Sequence, residues 1–164
     1  KRAYAIASCL VGSEMCIRDR DKRAQIRGKD VGFVFQSFHL MPRLTALDNV
    51  MLPLEISGDP YSMDKAQEAL KQVGLSKRAK HFATQLSGGE KQRVAIARSI
   101  VNKPKILFAD EPTGNLDKKS SGSITDLLFS LNELINTTLV LVTHDLSLAE
   151  KCDEVYELAE GRLL

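Results

Sequence analysis

Residues 86–93 read Leu86-Ser87-Gly88-Gly89-Glu90-Lys91-Gln92-Arg93, and an apolar run of helical character, Val94-Ala95-Ile96-Ala97-Arg98, follows them directly. A serine and two glycines let the backbone approach a ligand closely. A helix that begins there directs its unpaired N–H groups and the positive end of its dipole toward the same point. This stretch therefore predicts an anion site suited to a terminal phosphate. A Ser-Gly-Gly turn that only caps an ordinary helix is the simpler alternative.

Two apolar runs farther along the chain predict strands that end in ionisable side chains. Residues 105–109 (Lys-Ile-Leu-Phe-Ala) lead into Asp110-Glu111-Pro112, and residues 139–143 (Leu-Val-Leu-Val-Thr) lead into His144-Asp145. The first run is apolar throughout, which predicts a fully buried parallel strand. Open α/β sheets place their ligand sites at the carboxyl ends of such strands.

These strand-end residues are candidates for phosphate chemistry. Asp110 could hold Mg²⁺, and Glu111 could orient or deprotonate a water molecule. His144, at the same end of a neighbouring strand, could reach the same phosphate. The simpler alternative is that Asp110 and Glu111 are acidic residues in the loop after a strand, with no catalytic role.

Four motifs in this order resemble those of the ABC-type ATPases. Residues 86–92 are similar to the signature motif, residues 106–117 to the Walker B motif with the D-loop, and residues 140–145 to the H-loop. Gln36, which closes the predicted strand 31–35, is similar to the Q-loop glutamine. The segment Glu-Pro-Thr-Gly-Asn-Leu-Asp at 111–117 resembles the branch that serves lipoprotein release, macrolide export and cell-division complexes.

The resemblance implies a P-loop NTPase-type α/β fold. It consists of a mainly parallel sheet with helices on both faces and a small helical subdomain. The similarity covers residues 21–164, with the helical subdomain at about 45–86 and the catalytic core at 87–164. The first strand and the Walker A unit are expected to be missing.

The resemblance also implies the cofactors ATP and Mg²⁺ and a role for each matching residue. Asp110 and Gln36 would organise Mg²⁺, Glu111 would be the general base, and His144 would contact the γ-phosphate. Gln36 would also sense the attacking water. The residues expected to bind the nucleotide of the opposite subunit, or to contact that subunit, are Ser87, Gly88, Gly89, Gln92 and Asp117.

Two protein partners follow from the resemblance. One is a second ATPase subunit in a head-to-tail homodimer, and the other is a transmembrane permease subunit that docks near Gln36–Met41. Phe38, Leu40 and Met41 could line that docking groove or could belong to the core. The expected location is cytoplasmic, peripheral at the inner (plasma) membrane.

The phosphate-binding motif G-x-x-x-x-G-K-[ST] is not found in the sequence. The Gly28-Lys29 pair is followed by Asp30, and Arg23 stands where the first glycine should be. The sequence therefore predicts a protein truncated before the Q-loop, inactive alone, with exposed apolar surface and a tendency to aggregate. Residues 9–20 resemble a translated sequencing adapter, so we expect residues 1–20 to be non-native and either disordered or packed without a function.

Composition narrows the class of protein. The 164 residues are 43% hydrophobic and 27% charged with a net charge of +2, which is ordinary for one globular domain and gives no case for nucleic-acid binding. No apolar run approaches the roughly 18 residues of a membrane span, so direct membrane insertion is not expected. The three cysteines and three histidines lack metal-site or disulfide spacing.

Periodicity predicts the remaining elements. A helix should begin at Thr45 and end near Pro53, and a second should run over 63–73 with Ser62 as its cap. Shorter or later elements are a helix at 76–82, a helix at 89–101, a helix at 121–135 and a hairpin-like edge at 155–162. The side chains of the helix at 121–135 that are expected to face inward are Ile124, Leu127, Leu128, Leu131 and Leu134.

Two functions of other classes stay open beside the transport ATPase. One is a non-transport ABC ATPase of the kind used in DNA repair or translation, and the other is an inactive fragment that binds a partner. Members of the first class usually carry a long coiled-coil insertion or a fused second cassette, and neither is visible here.

Overall fold

The computed structural model describes residues 23–24, 26–159 and 162–163. Its centre is a three-stranded parallel sheet of β1 (Val31–Phe35), β2 (Ile106–Asp110) and β3 (Thr138–Val142), in that order. Crossover connections of 70 and 27 residues join the strands, consistent with parallel pairing. The expectations for residues 1–20 lie outside the described residues.

Helices fill the connections between the strands. They are α1 (Ala46–Ile56), α2 (Ser62–Gln72), α3 (Gly88–Ile100), α4 (Lys118–Ile135) and the short α5 (Leu146–Ala149). Two 3₁₀ turns at Ser76–Arg78 and Ala83–Gln85 lead into α3. The chain closes with an antiparallel pair, β4 (Leu158–Ala159) and β5 (Arg162–Leu163), which agrees with the predicted hairpin-like edge.

Helix α3 is the centre of the hydrophobic core. Its buried side chains meet β1, α1, α2 and α4, so the helical segment and the sheet share one core. Gly32 permits the close approach of β1, because a Cβ there would lie 2.5 Å from the Ser99 carbonyl oxygen. Any larger residue at this position would force the strand away from the helix.

Helix α1 begins as predicted and ends later. The Thr45 side chain accepts a hydrogen bond from the Asp48 N–H, and the Asp48 carboxylate accepts from the Thr45 N–H, which completes a capping box. The predicted end near Pro53 is wrong, since the helix continues to Ile56. Pro53 lacks only its own N–H, and its carbonyl still accepts from Ser57 at 3.2 Å.

Helix α2 buries Ala66, Ala69 and Leu70 and ends at Gln72, and two residues later the chain turns at Gly74, whose φ of 75° suits glycine. Ser62 is not its cap. The cap position is Tyr61, and no side chain caps this end of the helix. The predicted helix at 76–82 is also shorter, with one 3₁₀ turn over Ser76–Arg78 and turns beyond it.

Helix α4 begins three residues before its predicted start, at Lys118, because Asp117 caps it. Ile124, Leu128 and Leu131 are buried as predicted. The expectation for Leu134 is wrong, since this side chain is 67% exposed. Ile135, the next residue, packs against the core, so Leu134 lies on the outer side of the last turn.

The sheet has two unequal faces. On one, Val34, Leu107 and Ala109 are buried in the shared core. The other carries a row of side chains that are 36–55% exposed, which we call the second face: Phe33, Phe35, Ile106, Phe108, Val140 and Val142. Strand β2 is therefore half-buried rather than fully buried, because the described helices do not enclose this face.

Among the described residues, no helix is both long enough and apolar enough to cross a membrane.

Candidate functional site

The carboxyl ends of the three strands form one edge that carries the predicted catalytic residues. Phe35, Asp110 and Val142 are aligned in the parallel register. Gln36 and Glu111 directly follow the first two, and His144 lies two residues beyond the third. The sheet therefore brings together the ends of three segments that are far apart in the sequence.

Glu111 and His144 are joined directly. The Glu111 Oε1 atom accepts hydrogen bonds from the His144 backbone N–H at 2.9 Å and from its Nδ1 at 2.6 Å. The Glu111 backbone N–H donates to the Val142 carbonyl at 2.9 Å. Glu111 Oε2 lies 3.5 Å from the Thr143 hydroxyl. Since Nδ1 donates to a carboxylate, Nε2 is the ring nitrogen directed away from the pair.

Asp110 presents a free carboxylate beside this pair. The residue is exposed, and within the described part of the chain no donor reaches its side-chain oxygens. The described residues also contain no cluster of three or more His, Cys, Asp or Glu side chains that could hold a metal ion. A free carboxylate such as that of Asp110 is the kind of protein ligand through which Mg²⁺ binds, together with waters and phosphate oxygens.

Gln36 is fixed from the other side of the edge. Its Nε2 lies 3.4 Å from Asn115 Oδ1, and Asn115 Nδ2 donates to the Gln36 carbonyl at 3.0 Å. A Cβ at Gly114 would lie 2.6 Å from Gln36 Nε2. Asn115 was missed by the sequence analysis, although its place between Gly114 and Asp117 marked it as a turn residue.

The Ser-Gly-Gly turn starts α3 as predicted. The exposed Ser87 accepts from the Glu90 N–H at 3.3 Å and its own N–H donates to Glu90 Oε2 at 2.9 Å. That donation from the Ser87 backbone holds the pKa of Glu90 below its ordinary value of 4.5. A Cβ at Gly88 would lie 3.4 Å from Leu116, so the turn packs tightly against the loop before α4.

Gln92 is buried beneath the site. Its side chain is fully buried and donates to the Pro112 carbonyl at 2.7 Å and toward the Phe35 carbonyl at 3.5 Å. It lies on α3, where it faces the sheet and supports the backbone on either side of the site. Its contact with a nucleotide stays a prediction.

Asp117 is exposed and caps α4. Its carboxylate accepts from the Ser120 N–H at 3.0 Å and from the Ser120 hydroxyl at 2.7 Å. The Ser120 backbone donor lowers the pKa of the Asp117 carboxyl most. Ser87 and Asp117 therefore both act as helix caps, and in the described part of the chain neither side chain bonds to Glu111 or His144.

The family model described as ABC transporter matches residues 8–114, more than half of the chain. The chain belongs to the ABC transporter ATP-binding family. The match begins inside residues 1–20, whose origin stays a prediction.

Two relatives place this ABC cassette in the expected branch. Over 156 residues it is 53% identical to YbbA of Escherichia coli K12, described as an uncharacterized ABC transporter ATP-binding protein, with 94% of this chain and 68% of YbbA covered. It is 46% identical over 156 residues to LolD of Xanthomonas campestris pv. campestris (strain 8004), a lipoprotein-releasing system ATP-binding protein, with 94% and 65% covered.

A solved ABC cassette shares the fold. The dimeric structure of the bacterial cassette MJ0796 matches with a TM-score of 0.69 and 46% identity, covering 79% of this chain and 59% of MJ0796. A post-hydrolysis state of MJ0796 bound to ADP and Pi matches with a TM-score of 0.68. The predicted P-loop α/β fold is confirmed, and the chain spans about three fifths of the length of that cassette.

Proposed function

We propose that this chain, when a phosphate loop is joined to it, acts as the ATP-binding and ATP-hydrolysing subunit that energises an ABC-type membrane transport or lipoprotein extrusion complex. The observation that carries the proposal is the Glu111–His144 pair at the strand ends, with the free carboxylate of Asp110 beside it. The relation to LolD and YbbA favours substrate release or export from a membrane.

Each side chain of the edge has a distinct role in this proposal. Glu111 accepts the proton of the attacking water, an effect typically worth about 10²–10⁴-fold in rate. His144 orients the Glu111 carboxylate through Nδ1 and presents Nε2 to the terminal phosphate. Gln36 orients the water from the opposite side. Mg²⁺, held near Asp110 and Gln36, would neutralise phosphate charge.

A second copy of the subunit completes the site. The exposed Ser87 and the half-exposed Gly88 and Gly89 place the N-terminus of α3 at the surface, where it can bind the terminal phosphate held by the opposite subunit. Asp117 would meet that subunit nearby. A head-to-tail homodimer is supported by the dimeric structure of MJ0796.

The membrane partner would dock beside Gln36. A groove of about 190 Å³ lies there, lined by Ser37, Phe38, Leu40, Pro42, Ala83, Thr84 and Lys91. Met41, 51% exposed at its rim, suits contact with a helix of a permease subunit. The complex would hold this subunit on the cytoplasmic side, peripheral at the inner membrane.

For these 164 residues in isolation we propose partner binding without turnover. The phosphate-loop motif supplies a lysine and a nest of backbone N–H groups to the nucleotide. This sequence does not contain the motif, so both of these contributions are missing. The chain does contain the strand-end residues and the signature turn. It therefore has the groups that act on the terminal phosphate and lacks those that provide most of the binding contacts to the nucleotide.

The test is Mg-ATP binding, titrated to millimolar nucleotide by calorimetry. The chain is compared with a version that has a phosphate-loop unit joined to its N-terminus, here called the extended protein. We expect only the extended protein to bind and hydrolyse ATP. Its Glu111→Gln variant should bind ATP and dimerise without turnover.

Two results would contradict the proposal. Specific ATP binding by the chain alone would show that a nucleotide site forms without the phosphate loop. Rapid turnover by the Glu111→Gln variant of the extended protein would remove Glu111 from the role of general base.

A further inference from the structure

The loop between Gln36 and Met41 has an unusual backbone. Phe38 and His39 both lie in the left-handed region, with φ values of 60° and 46°. Two consecutive non-glycine residues adopt this conformation only where their surroundings hold them. The segment therefore needs a contact that compensates for its strain.

Arg98 supplies that contact. Its Nη1 donates to the His39 carbonyl at 2.6 Å and its Nη2 donates to the Phe38 carbonyl at 3.0 Å. The left-handed conformation turns both carbonyl oxygens toward the same guanidinium. Arginine suits this geometry because its planar fork presents two parallel N–H groups, and its charge strengthens each hydrogen bond.

The two ends of the loop are fixed by other groups. The buried Asn49 accepts from the Met41 N–H at 2.8 Å and donates to the Met41 carbonyl at 3.1 Å. At the other end, the Phe38 N–H donates to the Phe35 carbonyl at 3.3 Å, which closes the turn that contains Gln36. Arg98 therefore holds the middle of the loop and, through Phe38, the far side of the Gln36 turn.

Arg98 also lies on the helix that begins at the signature turn. Helix α3 runs from Gly88 to Ile100, so about three turns of rigid helix separate Ser87 from Arg98. We propose that Arg98 is a positioning residue, which locks the Gln36 loop to the signature helix so that the loop and the signature turn of one subunit move as one body. This inference rests on the proposed ATPase function for its kinetic consequence only.

Arg98→Met tests the proposal, because methionine keeps the unbranched stem and removes both donors. In the full chain, hydrogen–deuterium exchange at amides 37–41 should rise on the order of 10- to 100-fold, while α3 stays protected. Arg98→Lys retains the charge with a single donor group and should restore part of the protection.

Arg93→Met is the matched control. Arg93 lies on the same helix and also donates to backbone, with Nη1 2.9 Å from the Val73 carbonyl, but it does not reach the Gln36 loop. This variant should leave exchange at residues 37–41 unchanged. Unchanged exchange in Arg98→Met, or an equal rise in Arg93→Met, would overturn the proposal.

The kinetic arm uses the extended protein. Arg98→Met should lower kcat on the order of tenfold and leave the KM for ATP within about twofold, because Arg98 contacts the loop and not the nucleotide. Faster exchange with unchanged kcat would overturn the link from Arg98 to turnover. An inactive unsubstituted extended protein would instead overturn the proposed function, and the exchange result would stand without it.

Discussion

Glu111 is held in a strained conformation by the groups around it. Its φ of 43° lies in the left-handed region, which costs a non-glycine residue on the order of 1–3 kcal/mol. Its backbone N–H donates to the Val142 carbonyl, and its carboxylate accepts two hydrogen bonds from His144. These contacts offset the strain and aim the carboxylate along the edge of the sheet, where a base for an attacking water is needed.

A substitution at Gly114 tests whether ATP hydrolysis requires the Gln36 side chain in its present position. The Gly114→Ala variant puts a Cβ 2.6 Å from Gln36 Nε2, which is too close, so the flexible amide should move aside with little loss of stability. We expect kcat of the extended protein to fall about tenfold, because the displaced amide no longer orients the water. The measurement is steady-state ATP hydrolysis with a thermal melt of each variant.

Gly122→Ala serves as the control for Gly114→Ala. A Cβ at Gly122 would meet nothing within 4 Å, and the residue lies inside α4. This variant should gain up to about 1 kcal/mol of stability from helix propensity and keep its activity. Equal kcat values for the two variants would contradict the proposal that Gln36 orients the attacking water.

Glu90 should make the signature turn sensitive to acid. Its pKa is lowered in the folded state, so the ionised carboxylate stabilises the fold above the unfolded value near 4.5 and this contribution is lost as pH falls through the folded pKa. Glu90→Gln should lose on the order of 0.5–1 kcal/mol at neutral pH and match the unsubstituted chain once the pH has fallen below the folded pKa of Glu90. Urea unfolding at several pH values measures this.

Glu68→Gln is the control for the Glu90 variant. Glu68 pairs with Lys71 at 3.6 Å on an exposed surface, and such pairs contribute little to stability. A stability difference for Glu90→Gln that did not change with pH would contradict the assigned role of its charge.

Individual site residues were predictable where a pattern fixed their position. Glu111 and His144 follow apolar runs whose strand ends are aligned, so their meeting could be anticipated. Gln92 could not be placed in this way, because its burial depends on which side of α3 faces the sheet. Arg98 and Asn115 act on backbone groups of distant segments, and no local pattern in the sequence marks such contacts.

The residue at which a helix begins depends on which polar side chain accepts a hydrogen bond from a backbone N–H of the first turn. Thr45 caps α1 and Asp117 caps α4, and in both cases the residue three positions later completes the contact. Ser62 has the same chemistry as these caps and makes no such bond. A capping residue therefore predicts a helix start only within a few residues, and the chain geometry chooses among the candidates.

Thr45→Ala and Ser62→Ala should separate a real cap from an apparent one. Thr45→Ala removes the capping box of α1 and should lower the free energy of unfolding by about 1 kcal/mol. Ser62→Ala should change it by less than about 0.5 kcal/mol, since no hydrogen bond is lost. Urea unfolding followed by circular dichroism measures both, and equal losses would contradict the capping assignment.

The fold as a whole was predictable because its elements alternate in a way that few topologies accommodate. Apolar runs separated by long helical segments predict a parallel sheet, and the three strands pair accordingly. The burial of the sheet was not predictable in the same way. An apolar run such as 106–109 has the same sequence whether one or both of its faces are enclosed, and here the second face stays open.

The second face is a row of apolar side chains on neighbouring strands, and it has the character of a core layer. Phe33 and Phe108 stack with ring centroids 5.4 Å apart, and Phe33 and Phe35 stack at 5.8 Å. Contiguous apolar patches of this kind associate with other surfaces in water. We therefore expect the isolated chain to self-associate at micromolar concentration, through this face.

Phe33→Thr combined with Val140→Thr tests this expectation. Threonine suits a strand and makes the second face more polar, so the double variant should remain monomeric at concentrations where the unsubstituted chain associates. Ile56→Thr with Leu146→Thr is the control, because these side chains are 85% and 79% exposed and lie apart from the sheet. Sedimentation velocity distinguishes the outcomes: if the control pair abolished association as well, or the double variant still associated, the second face would not be the contact surface.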